Sequence, residues 1–288
     1  MNILPASAWT PGAEGAFVGL PHKTYLDAPG VSISTLRHIH PTPAHLQHYL
    51  RTKDDEQPSA DMIVGTLVHH ALLTPNDPLP HLAIKAADID YRTKAGKAWR
   101  AEQEAAGKII LGEDKMETVR RCVEGAKWVP ELVEGIQCSD CEVSIWRNRT
   151  VSVVTDYDQR TEVPLLLKCR FDVLPRDWPL CVDLKTTDDA SEEEWPRTML
   201  RHEYHRQAAW YLDLLGEDRA WFFAAIEKPT GFVRFTQLKP AAVQRGREEN
   251  ERDLTKLAYC THANQWPAYS IDGSDVCDLP IRAYSQPV

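Results

Sequence analysis

The sequence predicts an α/β fold with a central sheet and helices around it. Three observations carry this expectation. From about Glu142 to Leu238 short runs alternate apolar and polar residues with period two, interrupted by one helical stretch. Upstream and downstream, apolar residues recur at helical spacing, and clusters of Pro, Asn and Asp punctuate the runs. The 288 residues are 43% hydrophobic and 26% charged, enough to bury a sizeable core. The division expected is an N-terminal arm with helices over 1–60, a core over 61–240 and a C-terminal helix with tail over 241–288, integrated into one domain.

Residues 1–30 are rich in Pro, Gly and Ala and predict an extended arm. STLRHIHPTPAHLQHYL (34–50) predicts two short helices broken at Pro41 and Pro43. Its histidines, His38, His40, His45 and His48, straddle that break, so they are read as solvated rather than as metal ligands. DMIVGTLVHHALL (61–73) predicts an apolar helix with Gly65, His69 and Leu72 on one face. YRTKAGKAWRAEQEAAGK (91–108) predicts a polar helix. Its Arg92, Lys94, Lys97 and Arg100 read as a solvated face or, in a nuclease, as phosphate contacts.

EVSIWR (142–147), a turn at Asn148 and Arg149, and TVSVVTDYD (150–158) predict a hairpin. VPLLLKCRFDVL (163–174) and LCVDLKTT (180–187) predict two more strands joined by a short turn, giving a mainly antiparallel sheet. SEEEWPRTMLRHEYHRQAAWYLDLL (191–215) predicts one helix, with a capping box at Ser191 and Glu194 and with Tyr204, Gln207 and Tyr211 on one face. AWFFAAIE (220–227) and GFVRFTQL (231–238) close the strands, and the segment from Val243 to Cys260 predicts a charged helix.

The formal net charge of −9 argues against a protein that coats nucleic acid, while leaving room for a local basic channel. The N-terminus lacks a signal-peptide pattern and no apolar run is long enough to span a bilayer, which predicts a soluble cytoplasmic protein without membrane contact. Seven cysteines, an odd number, predict reduced thiols. Cys138 and Cys141 alone have ligand spacing; without a second pair they are read as free thiols rather than as part of a zinc site.

Charge inside the central strands is the chemical signal. By strand parity Lys168, Arg170 and Asp172 share one face, with Leu167, Cys169, Phe171 and Val173 on the other; Cys181, Asp183 and Lys185 share a face of the next strand. If the two strands pair, both aspartates and Lys185 converge. Two readings are then open. The carboxylates hold a hard divalent cation with Lys185 beside it, or Lys185 forms a salt bridge with an aspartate.

The ordered set GTLVH (65–69), EVSIW (142–146), KCRFD (168–172), VDLKTT (182–187) and YHRQAAWY (204–211), preceded by STLRHIHPTPAHLQHY, resembles the RecE-type, or exonuclease VIII-like, nucleases of the PD-(D/E)XK superfamily. The resemblance spans roughly residues 31–230 and implies a restriction-endonuclease-like core, a central mixed sheet flanked by helices with an N-terminal helical part. It implies His69, Asp172, Asp183 and the carbonyl of Leu184 as ligands of Mg²⁺, with Mn²⁺ as a substitute. It implies Lys185 as the catalytic lysine, Glu142 as support for a second metal or its waters, and Gln207 and Tyr211 as positioning groups for the lysine or the phosphate. Lys168 and Arg170 join Arg92, Lys94, Lys97 and Arg100 as expected DNA contacts.

Cys169 stands where relatives carry Gly and Phe171 where the superfamily name has Pro, and the cysteines of cluster-bearing relatives are not in place, so no iron–sulfur cluster is expected. The implied activity is a 5′-to-3′ exonuclease on ends of linear double-stranded DNA that leaves a 3′ single strand for a RecT-like annealing protein. The implied assembly is a homo-oligomeric ring, a trimer or tetramer. Phage or prophage recombination is the implied setting. An endonuclease or repair nuclease with the same site, and a DNA-binding protein that does not cut, are the alternatives.

Overall fold

The computed structural model describes residues 1–53, 58–77, 81–154 and 159–269. The N-terminal part contains β1 (Ile3–Pro5), β2 (Gly15–Val18), α1 (His22–Asp27), α2 (Ile33–Leu36), α3 (Pro43–Thr52) and α4 (Ala60–Leu73). Then come β3 (Leu82–Lys85), α5 (Lys94–Ala105), β4 (Ile109–Gly112), α6 (Glu113–Lys127) and α7 (Pro130–Gln137). The strands β5 (Ser139–Val154), β6 (Arg160–Pro175) and β7 (Leu180–Thr187) follow. The chain continues through α8 (Glu194–Arg201), α9 (Tyr204–Leu215), β8 (Ala220–Glu227), β9 (Val233–Gln237) and α10 (Pro240–Ala263).

Seven strands form one mixed sheet in the order β1-β2-β5-β6-β7-β8-β9, and β3 pairs with β4 in a separate parallel ribbon. The main sheet is antiparallel except at β1–β2 and β7–β8, which are parallel. The crossover from β7 to β8 runs through α8 and α9, as a parallel pair requires. Helices cover both faces. Phe223 and Ala225 of β8 join the core made with α9 and α10, while Ala224 and Ile226 join Val64, Leu67 and Val68 of α4 and Val119 of α6 on the other face.

Three expectations are corrected. Residues 1–30 are not simply an arm, because β1 and β2 extend the sheet and Phe17, Tyr25 and Ala28 pack around the buried Trp146. The turn at Asn148 and Arg149 is absent: β5 runs unbroken across both, paired with Leu166 and Leu165, because a sixteen-residue partner strand supplies hydrogen bonds throughout. The end of the proposed second strand, 155–158, lies outside the described residues. The helix expected over 191–215 is two. Ser191 Oγ accepts from Glu194 N (3.3 Å) at the start of the first, and Glu203, at φ +53°, breaks the path before α9.

Strand parity also slips next to the site. Phe171 lies in the α9 core, but Val173, two residues on, packs in the α4 core. The slip coincides with Glu142, held at φ +56° between the pairs Cys141–Val173 and Val143–Phe171 that flank Asp172, where the β5–β6 ladder misses one pair. α9 is seated by close backbone approach to α10. A Cβ on Gly246 would stand 2.3 Å from the His205 carbonyl oxygen, so glycine lets the two helices meet there.

Candidate active site

β6 and β7 share only the pair Val173–Val182, whereas β7 pairs with β8 along all eight residues. The strands diverge beyond Val173, and a side chain fills the role a strand carbonyl would otherwise take. Asp172 Oδ2 accepts the Leu184 N–H at 2.7 Å. A carboxylate is thereby fixed at the fork between two strands, 13% exposed.

α4 brings His69 to the same fork. The Nδ1–H side faces the Gly65 carbonyl one turn back (2.8 Å), while Nε2 stands 3.2 Å from Asp172 Oδ2 and 3.0 Å from the Leu184 carbonyl. With Nδ1 committed to a backbone acceptor, Nε2 is the nitrogen left for a ligand in the neutral ring. Burial pulls the His69 pKa down, but the Asp172 carboxylate outweighs it and holds it up at about 9. The ring is therefore a cation at neutral pH, donating toward Asp172.

Asp183 and Lys185 lie on the α9 side of β7. Asp183 is 2% exposed and its Oδ1 accepts from Gln207 Nε2 at 2.6 Å. Oδ2 has the Lys185 ammonium against it, yet no hydrogen bond of regular geometry. Burial raises the Asp183 pKa to about 6, with Lys185 opposing and Asp172 adding to the rise. Lys185 Nζ also lies 5.0 Å from the centre of the Tyr204 ring. Burial alone would lower its pKa; the two aspartates reverse this, and it stays charged.

The donors suit a hard divalent cation: two carboxylates, one backbone carbonyl and one imidazole with its far nitrogen anchored. Asp183 Oδ2 is a buried oxygen short of a hydrogen bond, as such a role requires. Among the described residues no group of three His, Cys, Asp or Glu side chains stands at ready-made ligand spacing. His69 is paired to Asp172 and Lys185 to Asp183, so a cation entering here would have to displace one proton and one ammonium. Of the two readings left open by the sequence, the salt bridge is the one present, between Lys185 and Asp183, with the oxygen and imidazole donors beside it.

The remaining expected site residues separate into several groups. Gln207 reaches Asp183 rather than the lysine. Tyr211 packs its ring on Phe171 and Trp221 (centroids 5.1 and 5.5 Å), and Tyr204, seven residues earlier on the same helical face, is the ring that meets Lys185. Glu142 is ion-paired with Arg170, and burial raises its pKa, with Arg170 opposing. Arg92, Lys94, Lys97 and Arg100 lie exposed on or beside α5, with Arg92 bonded to Asp90 and Arg100 to Glu104. Cys141 is pushed to about pKa 12 by burial, so it is a thiol. Of the four upstream histidines, His40 bonds Asp253 and His45 bonds Thr42, so these two have protein partners rather than only solvent.

Lys168 requires a correction. It is 6% exposed and its ammonium donates to the carbonyls of Tyr25 (2.9 Å), Leu26 (3.1 Å) and Ala28 (2.6 Å), at the end of α1. Parity placed it on the face of Asp172, but the N-terminal segment covers that face here. Lys168→Ala is expected to cost about 1–3 kcal/mol of stability by orphaning these acceptors, with duplex affinity unchanged. Denaturant unfolding and a DNA-binding titration on one preparation check both halves.

A pH prediction follows from His69. Its folded pKa of about 9 exceeds the ordinary 6.5, so the stabilisation from its pairing is full below 6.5 and is lost as pH rises through 9. The melting temperature of the chelator-treated protein is expected to fall across that window. In His69→Gln the fall is expected to shrink; an equal fall in both proteins contradicts the assignment.

Comparisons with known proteins bear on the fold. Residues 157–280 match the model of a PDDEXK-like domain of unknown function (DUF3799), fewer than half of the 288 residues. A crystal structure from Eubacterium rectale, described as "Putative exonuclease", superposes with TM-score 0.57 at 12% identity, covering 91% of this chain and 96% of its own. Its likeness shows the fold. Two others, SSO0001 (14% identity, 68% and 87% covered, TM-score 0.27) and Rai1 of Scheffersomyces stipitis (11%, 86% and 76%, TM-score 0.29), carry no argument. The comparison with curated proteins yields no match. The fold is PD-(D/E)XK-like. Among the described residues no helix is long and apolar enough to cross a membrane.

Proposed function

We propose that this chain is a metal-dependent deoxyribonuclease that degrades linear double-stranded DNA from its ends, 5′ to 3′, releasing 5′ mononucleotides. The observation that carries the reading is the fork between β6 and β7, where His69, Asp172 and the Leu184 carbonyl meet, with Asp183 and Lys185 beside them. His69 Nε2, Asp172, Asp183 and the Leu184 carbonyl would hold Mg²⁺, or Mn²⁺ in its place. Bound there, the cation supplies Lewis acidity and a water of lowered pKa. Gln207 fixes the Asp183 carboxylate in rotation. The Lys185 ammonium orients the attacking water and balances the charge that grows on the phosphoryl oxygens. A water oxygen bonds to phosphorus as the bond to the 3′ oxygen breaks, and that oxygen leaves with a proton.

The end preference and direction rest on the ordered motifs shared with RecE-type nucleases. So do the 3′ single strand handed to a RecT-like annealing protein and a ring of three or four copies. The exposed cations of α5 are the proposed phosphate contacts. Digestion of linear and closed-circular forms of one plasmid tests the end requirement. Loss of the linear form alone is expected; equal loss of both points instead to an endonuclease.

A further inference from the structure

Beside the fork lies a cavity of about 640 Å³. Its walls are the end of β2 and the residues after it (Val18–Leu20), the end of α4 and the turn beyond it (71–77), α7 and the start of β5, and Glu142 and Arg170 close it on the side of the site. It meets the site twice: α4 enters it two residues after His69, and Glu142 lies between the pairs Cys141–Val173 and Val143–Phe171 that flank Asp172. Its size falls in the range of small-molecule sites, about 300–1,000 Å³.

Arg170 points to the ligand. It is 9% exposed, its Nε is spent on Glu142, and its Nη1 is buried with no hydrogen-bond partner. A buried guanidinium N–H without an acceptor is costly, and an anionic oxygen is the acceptor it suits best. The wall carries three carboxylates, Glu142 paired with Arg170, Asp140 paired with Arg176, and Asp77, and Lys127 adds a second cation to Arg170. Leu20, Leu72, Val133 and Ile136 provide apolar surface, while Asn76 and Gln137 bring amides able to donate or accept.

We infer that this cavity is a subsite for one nucleotide of the cleaved strand, with phosphate beside the Arg170 guanidinium and base and sugar against the α4 and α7 walls. This rests on the nuclease reading for its biological sense, but the binding it requires does not need turnover. A nucleoside 5′-monophosphate is the free ligand it should take, and accumulating product should then compete with substrate.

The test is calorimetric titration of the full chain in chelator, with thymidine 5′-monophosphate, thymidine and inorganic phosphate as separate probes. Thymidine 5′-monophosphate is expected to bind one to one, at least about tenfold tighter than either fragment. Val133→Trp, which fills the cavity from α7 and leaves the Arg170–Glu142 pair intact, is expected to weaken it by about tenfold or more at unchanged melting temperature. Arg170→Lys is expected to weaken the monophosphate more than thymidine. Binding no tighter than phosphate, or unaltered in Val133→Trp, overturns the subsite. Digestion of linear duplex with Mg²⁺ by the same preparation separates the claims. Cleavage without monophosphate binding sinks the subsite alone; binding without cleavage supports the subsite and sinks the nuclease reading.

Discussion

Lys185→Ala is expected to lower the rate of phosphodiester cleavage by at least about 10²-fold, the scale of losing one preorganised charge partner in a transition state. DNA affinity should change little, because Lys185 is directed at Asp183 and the Tyr204 ring rather than at an exposed surface. The variant should still fold. Without the ammonium, Asp183 keeps its bond from Gln207, and burial, no longer opposed by the lysine, raises its pKa further so that it can take up a proton when cation is absent. Single-turnover digestion alongside a binding titration checks this. Cleavage near the wild-type rate contradicts the role given to Lys185, and a large loss of binding contradicts its placement.

Asp172→Ala is expected to combine the loss of cleavage with the larger loss of stability. Its Oδ2 serves two donors at once, the Leu184 N–H and the His69 ring. Removing it leaves a strand N–H unpaired at the fork and a buried histidine without its anion, a cost of about 3 kcal/mol for breaking a buried pair. The His69 pKa should fall, since burial then acts without the opposing charge. Denaturant unfolding reads the first effect, and calorimetric titration with Mn²⁺ reads the second as weakened binding. Unchanged stability together with unchanged Mn²⁺ affinity would contradict the fork as a shared structural and ligand site.

Parts of this were legible in the sequence for identifiable reasons. β7 and β8 occupy 180–187 and 220–227 as expected, because each is a short apolar run bounded by turn residues and buried on both faces. The face of α9 was legible too, since Tyr204 and Gln207 at i and i+3 both reach the β7 charges. His69 was different. One histidine on an apolar helix says nothing of a strand more than a hundred residues away, and only the family resemblance singled it out.

What escaped has physical causes as well. β1 and β2 are only three and four residues long, and their pairing, β1 on β2 and β2 on β5, is not announced by their own pattern. The left-handed backbone at Glu142 reverses strand parity locally, which no period-two reading can anticipate. Lys168 looked like a free cation because parity is blind to the N-terminal segment that folds over it.

The most direct measurement is digestion of a linear duplex labelled separately at each end of each strand, by wild type and Lys185→Ala, with and without Mg²⁺. The expected result is early release of both 5′ labels as mononucleotides, with the 3′ labels retained on lengthening single strands, only for wild type and only with the cation. Release without a divalent cation, or release by Lys185→Ala at the wild-type rate, would contradict a metal centre at the β6–β7 fork.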